Sequence, residues 1–171
     1  DQAYDDLVQR LISVDDLSGL YLRRRFDREL GALLATPGAC VGLLVMDLDG
    51  IKKLNDSRGH LFGAHAIGEA GRRIGRLLSQ VPGGFGARFG GDEYTVAAPN
   101  ITRPALLALA ERMRVEIADA SYTKDGVEFS IGVSIGVALS PDDGATLTSL
   151  FAAADAAMYR AKSGGRNRVS S

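Results

Sequence analysis

Apolar positions along the chain recur at two spacings, one typical of helices and the other typical of strands. Apolar residues three and four positions apart predict helices over five segments: residues 4–14, 22–35, 60–79, 103–119 and 146–162. In the segment 60–79 we expect Leu61, Ile67 and Ile74 to face the core. A helix with one apolar face of this kind packs against other elements.

Extended segments lie between the predicted helices. Residues 41–46 form a continuous apolar run, which is typical of a central strand covered on both faces. Residues 86–97 indicate a β-hairpin around a Gly-Gly turn at 90–91. Residues 127–139 are rich in strand formers, and residues 168–169 are expected to form a short last strand. Because strands alternate with helices and one strand pair is antiparallel, we expect an α+β fold with one mixed sheet.

The composition is that of a globular protein and excludes several classes. The 171 residues are 46% hydrophobic and 24% charged, which suits one domain. The single cysteine, Cys40, excludes an internal disulfide and a cysteine-rich zinc module, and it fits a reducing compartment. Apolar stretches are far shorter than a membrane span requires. A net charge of −1 argues against a nucleic-acid binder, so we expect no nucleic-acid partner. We also expect the domain to be cytoplasmic.

The first predicted helix is separate from the rest of the chain. Leu7, Leu11 and Val14 give it one apolar face, and the chain begins directly with this helix. We therefore expect a linker helix over residues 1–14, one domain over residues 15–171, and a further region of the protein before residue 1.

Two acidic pairs follow predicted strands. Asp47 and Asp49 end the apolar run and, as residues i and i+2, are expected to face the same way. Asp92 and Glu93 follow the Gly-Gly turn and alternate, so at most one should face Asp47 unless a bulge intervenes. Carboxylates in this setting suit Mg²⁺, whose coordination substrate phosphates often complete. The residues alone leave a second interpretation open, in which Asp49 caps a helix and Asp92-Glu93 is a polar turn.

Two cations flank the end of the last predicted helix. Lys162 and Arg166 enclose Ser-Gly-Gly, a setting that suits phosphate binding because glycine lets the backbone approach closely. The same pattern suits an ordinary helix end, where glycine stops the helix and cations complement its dipole. Without further information we favour the ordinary helix end.

Taken together, these segments resemble the GGDEF-domain family, the diguanylate cyclases. The resemblance runs from Asp15 to Val169, and its signature is Arg88-Phe-Gly-Gly-Asp-Glu-Tyr94, with one aromatic residue in place of another. The remaining matches occur in family order: residues 15–20, Arg23, Arg24, Phe26, residues 47–49, Lys52, residues 55–56, residues 59–60, residues 134–136 and residues 155–167.

The resemblance implies a palm-like α+β nucleotidyl cyclase fold, in which helices flank a mostly antiparallel central sheet. It implies that two GTP condense into cyclic di-GMP with release of two pyrophosphates, in the presence of Mg²⁺ or Mn²⁺. Each domain would hold one nucleotide, so catalysis would need a homodimer. The helix at residues 1–14 would carry signals from an upstream sensory domain, in a protein that can be membrane-anchored elsewhere.

Matching positions imply a role for each candidate residue. The metal ligands would be Asp47, the Leu48 carbonyl and Asp92, while Asp92 and Glu93 would be the catalytic acids. The other substrate contacts would be Asn55 to guanine, His60 near the nucleoside, the Ala64 position beside the base, Gly90 and Gly91 in the hairpin, and Lys162 and Arg166 to the terminal phosphates.

Ala64 departs from the family pattern. Family members usually have His-x-x-Gly-Asp in this segment, and the Asp accepts hydrogen bonds from guanine; here the segment is His60-Leu-Phe-Gly-Ala64. Losing a charged acceptor costs about 1.5–3 kcal/mol, and adenine is no longer repelled by a carboxylate. A family branch with a small residue here accepts ATP and makes cyclic GMP-AMP, so we hypothesise relaxed base selectivity. The alternative is a degenerate domain that binds nucleotide or dimerises without turnover.

Overall fold

Helices and strands alternate along the chain. The computed structural model describes residues 1–171, except for the side chains of residues 9–12. The helices are α1 (Gln2–Ser13), α2 (Arg23–Ala35), α3 (Ile51–Arg58), α4 (His60–Leu78), α5 (Arg103–Ala118) and α6 (Leu147–Ser163). The strands are β1 (Val41–Asp49), β2 (Phe85–Gly90), β3 (Glu93–Pro99), β4 (Tyr122–Lys124), β5 (Val127–Phe129), β6 (Gly132–Ser140) and β7 (Val169–Ser170).

Five of these strands form one sheet in the order β2-β3-β1-β6-β7. The pairs β2–β3, β3–β1 and β1–β6 are antiparallel, and β6–β7 is parallel. Strands β4 and β5 form a separate two-stranded sheet. The expected α+β architecture, with a mixed and mostly antiparallel sheet flanked by helices, is therefore confirmed.

Strand β1 lies at the centre of the sheet and separates two hydrophobic cores. Leu44, Met46 and Leu48 belong to the core that contains the buried faces of α4 and α5. Leu43 and Val45 belong to the second core, which contains buried residues of α2 and α6. Because side chains alternate along a strand, the last acidic residues of β1 point to the same side as Leu43 and Val45, toward α2 and α6.

The hairpin differs in detail from its prediction. Strand β2 ends at Gly90 and β3 begins at Glu93, so the two-residue turn is Gly91-Asp92 rather than 90–91. The register between the strands shifts between Arg88 and Gly90, which makes a β-bulge there. A bulge places one extra residue on its strand and turns the following side chains.

One further expectation is corrected and another is left open. Leu61 is 61% exposed, because it lies six positions before the buried Ile67 and thus about 120° away around the helix. A helix at the position of α3 enters the sequence analysis only through the alternative in which Asp49 caps it, and the sequence pattern does not predict β4. Of the apolar face proposed for the first helix, Leu7 is 52% exposed, and the Leu11 side chain lies outside the described residues.

None of the described helices combines the length and apolar character that crossing a membrane requires.

Gly136 of β6 brings the sheet into backbone contact with α6. A Cβ at this position would overlap the backbone carbonyl oxygen of Ala154 and the backbone nitrogen of Met158. Backbone atoms in a packed strand and helix cannot move aside as a flexible side chain can. The approach of α6, which carries Lys162 to the end of β1, therefore depends on this glycine.

We expect Gly136→Ala to lower the free energy of unfolding by about 3 kcal/mol or more, since overpacking against backbone cannot relax. Gly31→Ala is the matched control, because a Cβ on this α2 residue meets nothing within 4 Å. Alanine there should stabilise the protein by about 0.5–1 kcal/mol through its better helix propensity. Urea unfolding of both variants measures the difference, and equal midpoints would contradict the packing role of Gly136.

Candidate functional site

A pocket of about 680 Å³ opens where β1, the hairpin and the end of α6 meet. Strand β1 contributes Asp47 and Leu48, and the hairpin turn contributes Asp92. The end of α6 contributes Lys162, and the loop after it contributes Arg166. The structure thus brings together, in one cavity, five of the residues to which the sequence assigns metal or phosphate chemistry.

Asp47 is a partly buried carboxylate of this pocket, with 19% of its side chain exposed. One oxygen of its carboxylate, Oδ2, accepts a hydrogen bond from Lys162 Nζ, and the two groups form an ion pair. The other oxygen, Oδ1, is buried and has no hydrogen-bond partner among the described residues. A buried carboxylate oxygen without a partner is costly, so this atom is available to a cation.

Asp92 lies beside Asp47 because the hairpin is attached to the end of β1. The backbone nitrogen of Leu48 donates to the Asp92 carbonyl oxygen at 3.0 Å. Burial, followed by the neighbouring Asp47 carboxylate, raises the pKa of Asp92 to about 6. Lys162 acts in the opposite direction but does not cancel the effect.

Glu93, next along the hairpin, also lies near Asp47. It stands directly opposite Asp47 in the register between β3 and β1, and opposite residues of this kind share a face of the sheet. Burial, then Asp155 and Asp47, raises the pKa of Glu93. Both acids of the hairpin therefore approach Asp47. The expectation that at most one would do so is corrected, because Asp92 lies in the turn before β3 and does not follow the alternation of a strand.

The residues of the pocket fit a magnesium ion. Among the described side chains, no three His, Cys, Asp or Glu groups surround one point, so the pocket offers the carboxylates of Asp47 and Asp92. Mg²⁺ suits such a pair, because it keeps several waters and is completed by substrate phosphates. The unpartnered Oδ1 of Asp47 and the raised pKa of Asp92 are both features that a divalent cation would relieve.

Asp49 has a positioning role that the sequence did not reveal. Its carboxylate accepts from Ser134 Oγ at 2.9 Å, from the Asn167 backbone nitrogen at 3.0 Å and from Arg166 at 3.3 Å. It does not cap α3, whose N-cap is Gly50 without a side-chain hydrogen bond, so that alternative is wrong. Ser134 and Asn167 were found only as matches to a motif, since neither spacing nor composition shows a contact between distant segments.

The residues expected near the base lie at the corner between α3 and α4, outside the lining of this pocket. Asn55 Oδ1 is buried without a hydrogen-bond partner, and a Cβ at Gly63 would overlap it. Gly63 therefore makes room for the Asn55 amide. His60 is the exposed first residue of α4, and Ala64 is half-buried one turn later.

The glycines and cations at the two ends of the site also have structural functions. Gly90 and Gly91 have φ of 117° and 53°, so the hairpin turn uses conformations that favour glycine. Gly165, between Lys162 and Arg166, has φ of 122° and lies just past the end of α6. The two interpretations of this segment are compatible, because a glycine-ended helix also places both cations beside the aspartates.

The raised pKa of Asp92 predicts that this residue lowers the stability of the metal-free protein. The unfolded chain ionises Asp near pH 3.8 and the folded chain near 6, so the penalty is complete above pH 6 and disappears toward pH 4. Asp92→Asn should therefore raise the free energy of unfolding at pH 7.5 by about 1 kcal/mol, after discounting for solvent exposure.

Urea unfolding in EDTA at pH 7.5 and pH 4 measures this effect, with the exposed Asp142→Asn as control. Added Mg²⁺ should stabilise the wild type and leave Asp92→Asn unchanged, because only the wild type keeps both carboxylates. A destabilised Asp92→Asn at pH 7.5 would show that Asp92 is not a repulsive partner of Asp47.

Comparisons with known proteins show the family to which the chain belongs. Residues 12–168 match the family model described as diguanylate cyclase, GGDEF domain. Diguanylate cyclase VdcA of Vibrio cholerae serotype O1 is 37% identical over 165 residues, which cover 95% of this chain and 48% of VdcA. The cyclic di-GMP phosphodiesterase PdeR of Escherichia coli K12 is 39% identical over 130 residues, covering 75% of this chain and 19% of PdeR. The chain thus spans about half or less of the length of these relatives.

A similar solved structure is that of the coiled coil and GGDEF domain of DgcB from Caulobacter crescentus, in complex with c-di-GMP. The TM-score is 0.90 at 32% sequence identity, over 99% of this chain and 90% of that one.

Proposed function

Because the chain belongs to the diguanylate cyclase GGDEF domain family, we propose that it condenses two nucleoside triphosphates into a 3′,5′-cyclic dinucleotide. The product from two GTP is cyclic di-GMP, with release of two pyrophosphates. The observation that carries the proposal is that one pocket is lined by two acids and two cations: Asp47, Asp92, Lys162 and Arg166. Two carboxylates for a metal and two cations for phosphates are the groups that phosphoryl transfer needs.

Asp47, Asp92 and the Leu48 carbonyl would hold Mg²⁺ or Mn²⁺, which supplies charge neutralisation at the reacting phosphate when it is bound. Lys162 and Arg166 bind the terminal phosphates and hold the leaving pyrophosphate. Glu93, whose pKa is raised by burial, Asp155 and Asp47, is proposed to accept the proton of the 3′-hydroxyl. A carboxylate with a raised pKa is a better base near neutral pH.

The reaction needs two copies of the domain. Each copy holds one nucleotide, so the copies must face each other in a symmetric homodimer. The 3′-oxygen of each nucleotide forms a bond to the α-phosphorus of the other, and each broken bond releases one pyrophosphate. Two protons leave the 3′-hydroxyls. Helix α1 is proposed to carry signals for this pairing from an upstream sensory domain.

Base selectivity is proposed to be relaxed because of Ala64. The Asn55 amide would contact the base, with His60 close to the nucleoside, while Ala64 offers no acceptor to the guanine N1–H and N2–H. ATP is therefore proposed as a second substrate, with cyclic GMP-AMP as the mixed product. The four residues of the phosphate chemistry are unaffected by this substitution.

A second candidate function is a nucleotide-binding or dimerisation module without turnover. Ala64 favours it, since this residue weakens recognition of guanine. The similarity to PdeR also favours it, because PdeR is named for a phosphodiesterase activity. The retained acids and cations of the pocket favour the cyclase.

We expect Asp92→Asn to lower Mg²⁺-dependent turnover by about 100-fold or more, because the reacting phosphate loses a stabilising group. Product formation from GTP, ATP and an equal mixture, measured by liquid chromatography, gives the rates. Asp142→Asn removes an exposed carboxylate and should keep the wild-type rate. If the wild type is inactive with every nucleotide while it still binds GTP, the module without turnover is the correct reading.

Restoring the missing acceptor should restore selectivity. Ala64→Asp is expected to raise the preference for GTP over ATP, as a ratio of kcat/KM, by about 10- to 100-fold. Ala108→Asp places the same side chain on an exposed position of α5 and should leave the ratio unchanged. Strict use of GTP by the wild type at an ordinary KM would contradict relaxed selectivity.

A further inference from the structure

Ser134 of β6 is a fully buried polar residue to which no chemical role has been assigned. Its hydroxyl donates to the Asp49 carboxylate, with Oγ 2.9 Å from one oxygen and 3.1 Å from the other. In the register between β1 and β6, Ser134 stands directly opposite Asp47, and opposite residues share a face of the sheet. The hydroxyl nevertheless binds Asp49, two residues further along β1. It therefore fixes Asp49 and leaves Oδ1 of Asp47 without a partner among the described residues.

Asp49 in turn holds the loop that follows α6. Its buried carboxylate accepts from the backbone nitrogen of Asn167 at 3.0 Å and from the Arg166 guanidinium at 3.3 Å. The hydrogen bonds from Ser134 come from the opposite side of the chain, since β6 precedes α6. Three donors from two segments thus meet on one carboxylate, and the loss of any of them leaves a buried acceptor short of a hydrogen bond.

The backbone of this loop adopts a conformation that needs support. Arg166 has φ of 64° and Asn167 has φ of 46°. Both values lie in the left-handed region, which asparagine visits occasionally and arginine rarely. Residues in such conformations persist where the surrounding contacts hold them. One contact is the Arg166 backbone nitrogen, which donates to the Ala161 carbonyl at 3.0 Å, and the other is Asp49. The left-handed turn at Arg166 therefore depends on the Asp49 carboxylate.

This turn decides where the Arg166 side chain lies. Arg166 lines the pocket of Asp47 and Asp92, and 59% of its side chain is exposed. One guanidinium nitrogen contacts Asp49, and the other N–H groups make no hydrogen bond among the described residues. A guanidinium that is tethered at one nitrogen loses less entropy when it binds a phosphate.

We propose that Ser134 is a positioning residue for phosphate binding, because through Asp49 it holds the loop that presents Arg166 to the pocket. This inference rests on the proposed function, in which Arg166 binds the terminal phosphates. Without the serine hydroxyl, Asp49 loses a donor and its bonds to the loop weaken. Arg166 then occupies its binding position for less of the time, and the apparent affinity for phosphates falls by that fraction.

The test is calorimetric titration of the full chain with magnesium pyrophosphate. Arg166→Gln removes the presented group and should weaken binding by about tenfold or more, since charge-assisted hydrogen bonds are lost. Ser134→Ala should weaken binding by about three- to tenfold, which is part of that loss. The double variant should bind no more weakly than Arg166→Gln alone, because the serine acts through this arginine. Losses that add, or an unchanged affinity in Arg166→Gln, would overturn the proposal.

Two further variants separate this role from packing. Ser134→Cys fills nearly the same space but is a weak donor, so it should weaken binding as Ser134→Ala does. Thr95→Val is the matched control, because Thr95 is also fully buried in the sheet and its hydroxyl has no partner among the described residues. This control should bind magnesium pyrophosphate as the wild type does. Wild-type affinity in both Ser134 variants, or an equal loss in Thr95→Val, would contradict the positioning role.

NMR spectra of the unliganded variants report the loop directly. In Ser134→Ala the amide signals of Arg166 and Asn167 should move, while that of Gly90 in the hairpin should stay in place; unchanged loop signals would overturn the proposal. Turnover then separates this inference from the cyclase. A wild type that makes no dinucleotide, with pyrophosphate binding still dependent on Ser134 through Arg166, would refute the cyclase and support the positioning role. An active wild type whose KM for GTP is unchanged in Ser134→Ala would refute the positioning role alone.

Discussion

Two carboxylates at the end of a buried strand must be neutralised, and most of the site follows from that requirement. Asp47 and Asp49 end β1 on the face that α2 and α6 cover. Burying either charge without a partner would cost several kcal/mol. The end of α6 provides Lys162 for Asp47, and the loop after it provides Arg166 for Asp49. These pairs join the segment between α6 and β7 to the end of β1, and they place two cations beside two acids.

The hairpin adds negative charge to this arrangement, and its attachments prevent the charges from separating. Leu48 N donates to the Asp92 carbonyl at 3.0 Å, and Tyr94 OH donates to the Ile67 carbonyl of α4 at 2.5 Å. Within the hairpin, the Arg88 side chain donates to the Gly91 carbonyl oxygen at 2.8 Å, and it also forms an ion pair with Asp15. Repulsion between Asp92 and Asp47 is therefore retained in the folded state. Functional sites commonly keep such unfavourable contacts because the ligand relieves them.

The sequence predicts the parts of this site that depend on local pattern. Alternation along β1 places Asp47 and Asp49 on one face, and the glycine turn places acids at a hairpin tip. The contacts of Ser134 and Asn167 with Asp49 join segments about 85 and 118 positions apart, and no periodicity encodes them. The position of Asp92 in the turn, one residue before β3 begins, is equally invisible in a simple alternation, and it lets both hairpin acids approach Asp47. The expectation that Leu61 faces the core is wrong because an apolar residue next to the buried face of a helix has nearly the spacing of the residues on that face.

The structure separates the proposed base contacts from the phosphate chemistry. Asn55 and Ala64 lie on α3 and α4, whereas the acids and cations lie on β1, the hairpin and the end of α6. Gly63 has no Cβ, and the space is occupied by the Asn55 amide, so this part of the proposed base site keeps its shape although residue 64 offers no acceptor. Loss of an acceptor on α4 does not alter the charges around Asp47, because no hydrogen bond or ion pair among the described residues joins the two groups. The proposed change in base selectivity therefore requires no rearrangement of the residues proposed to act on the phosphates.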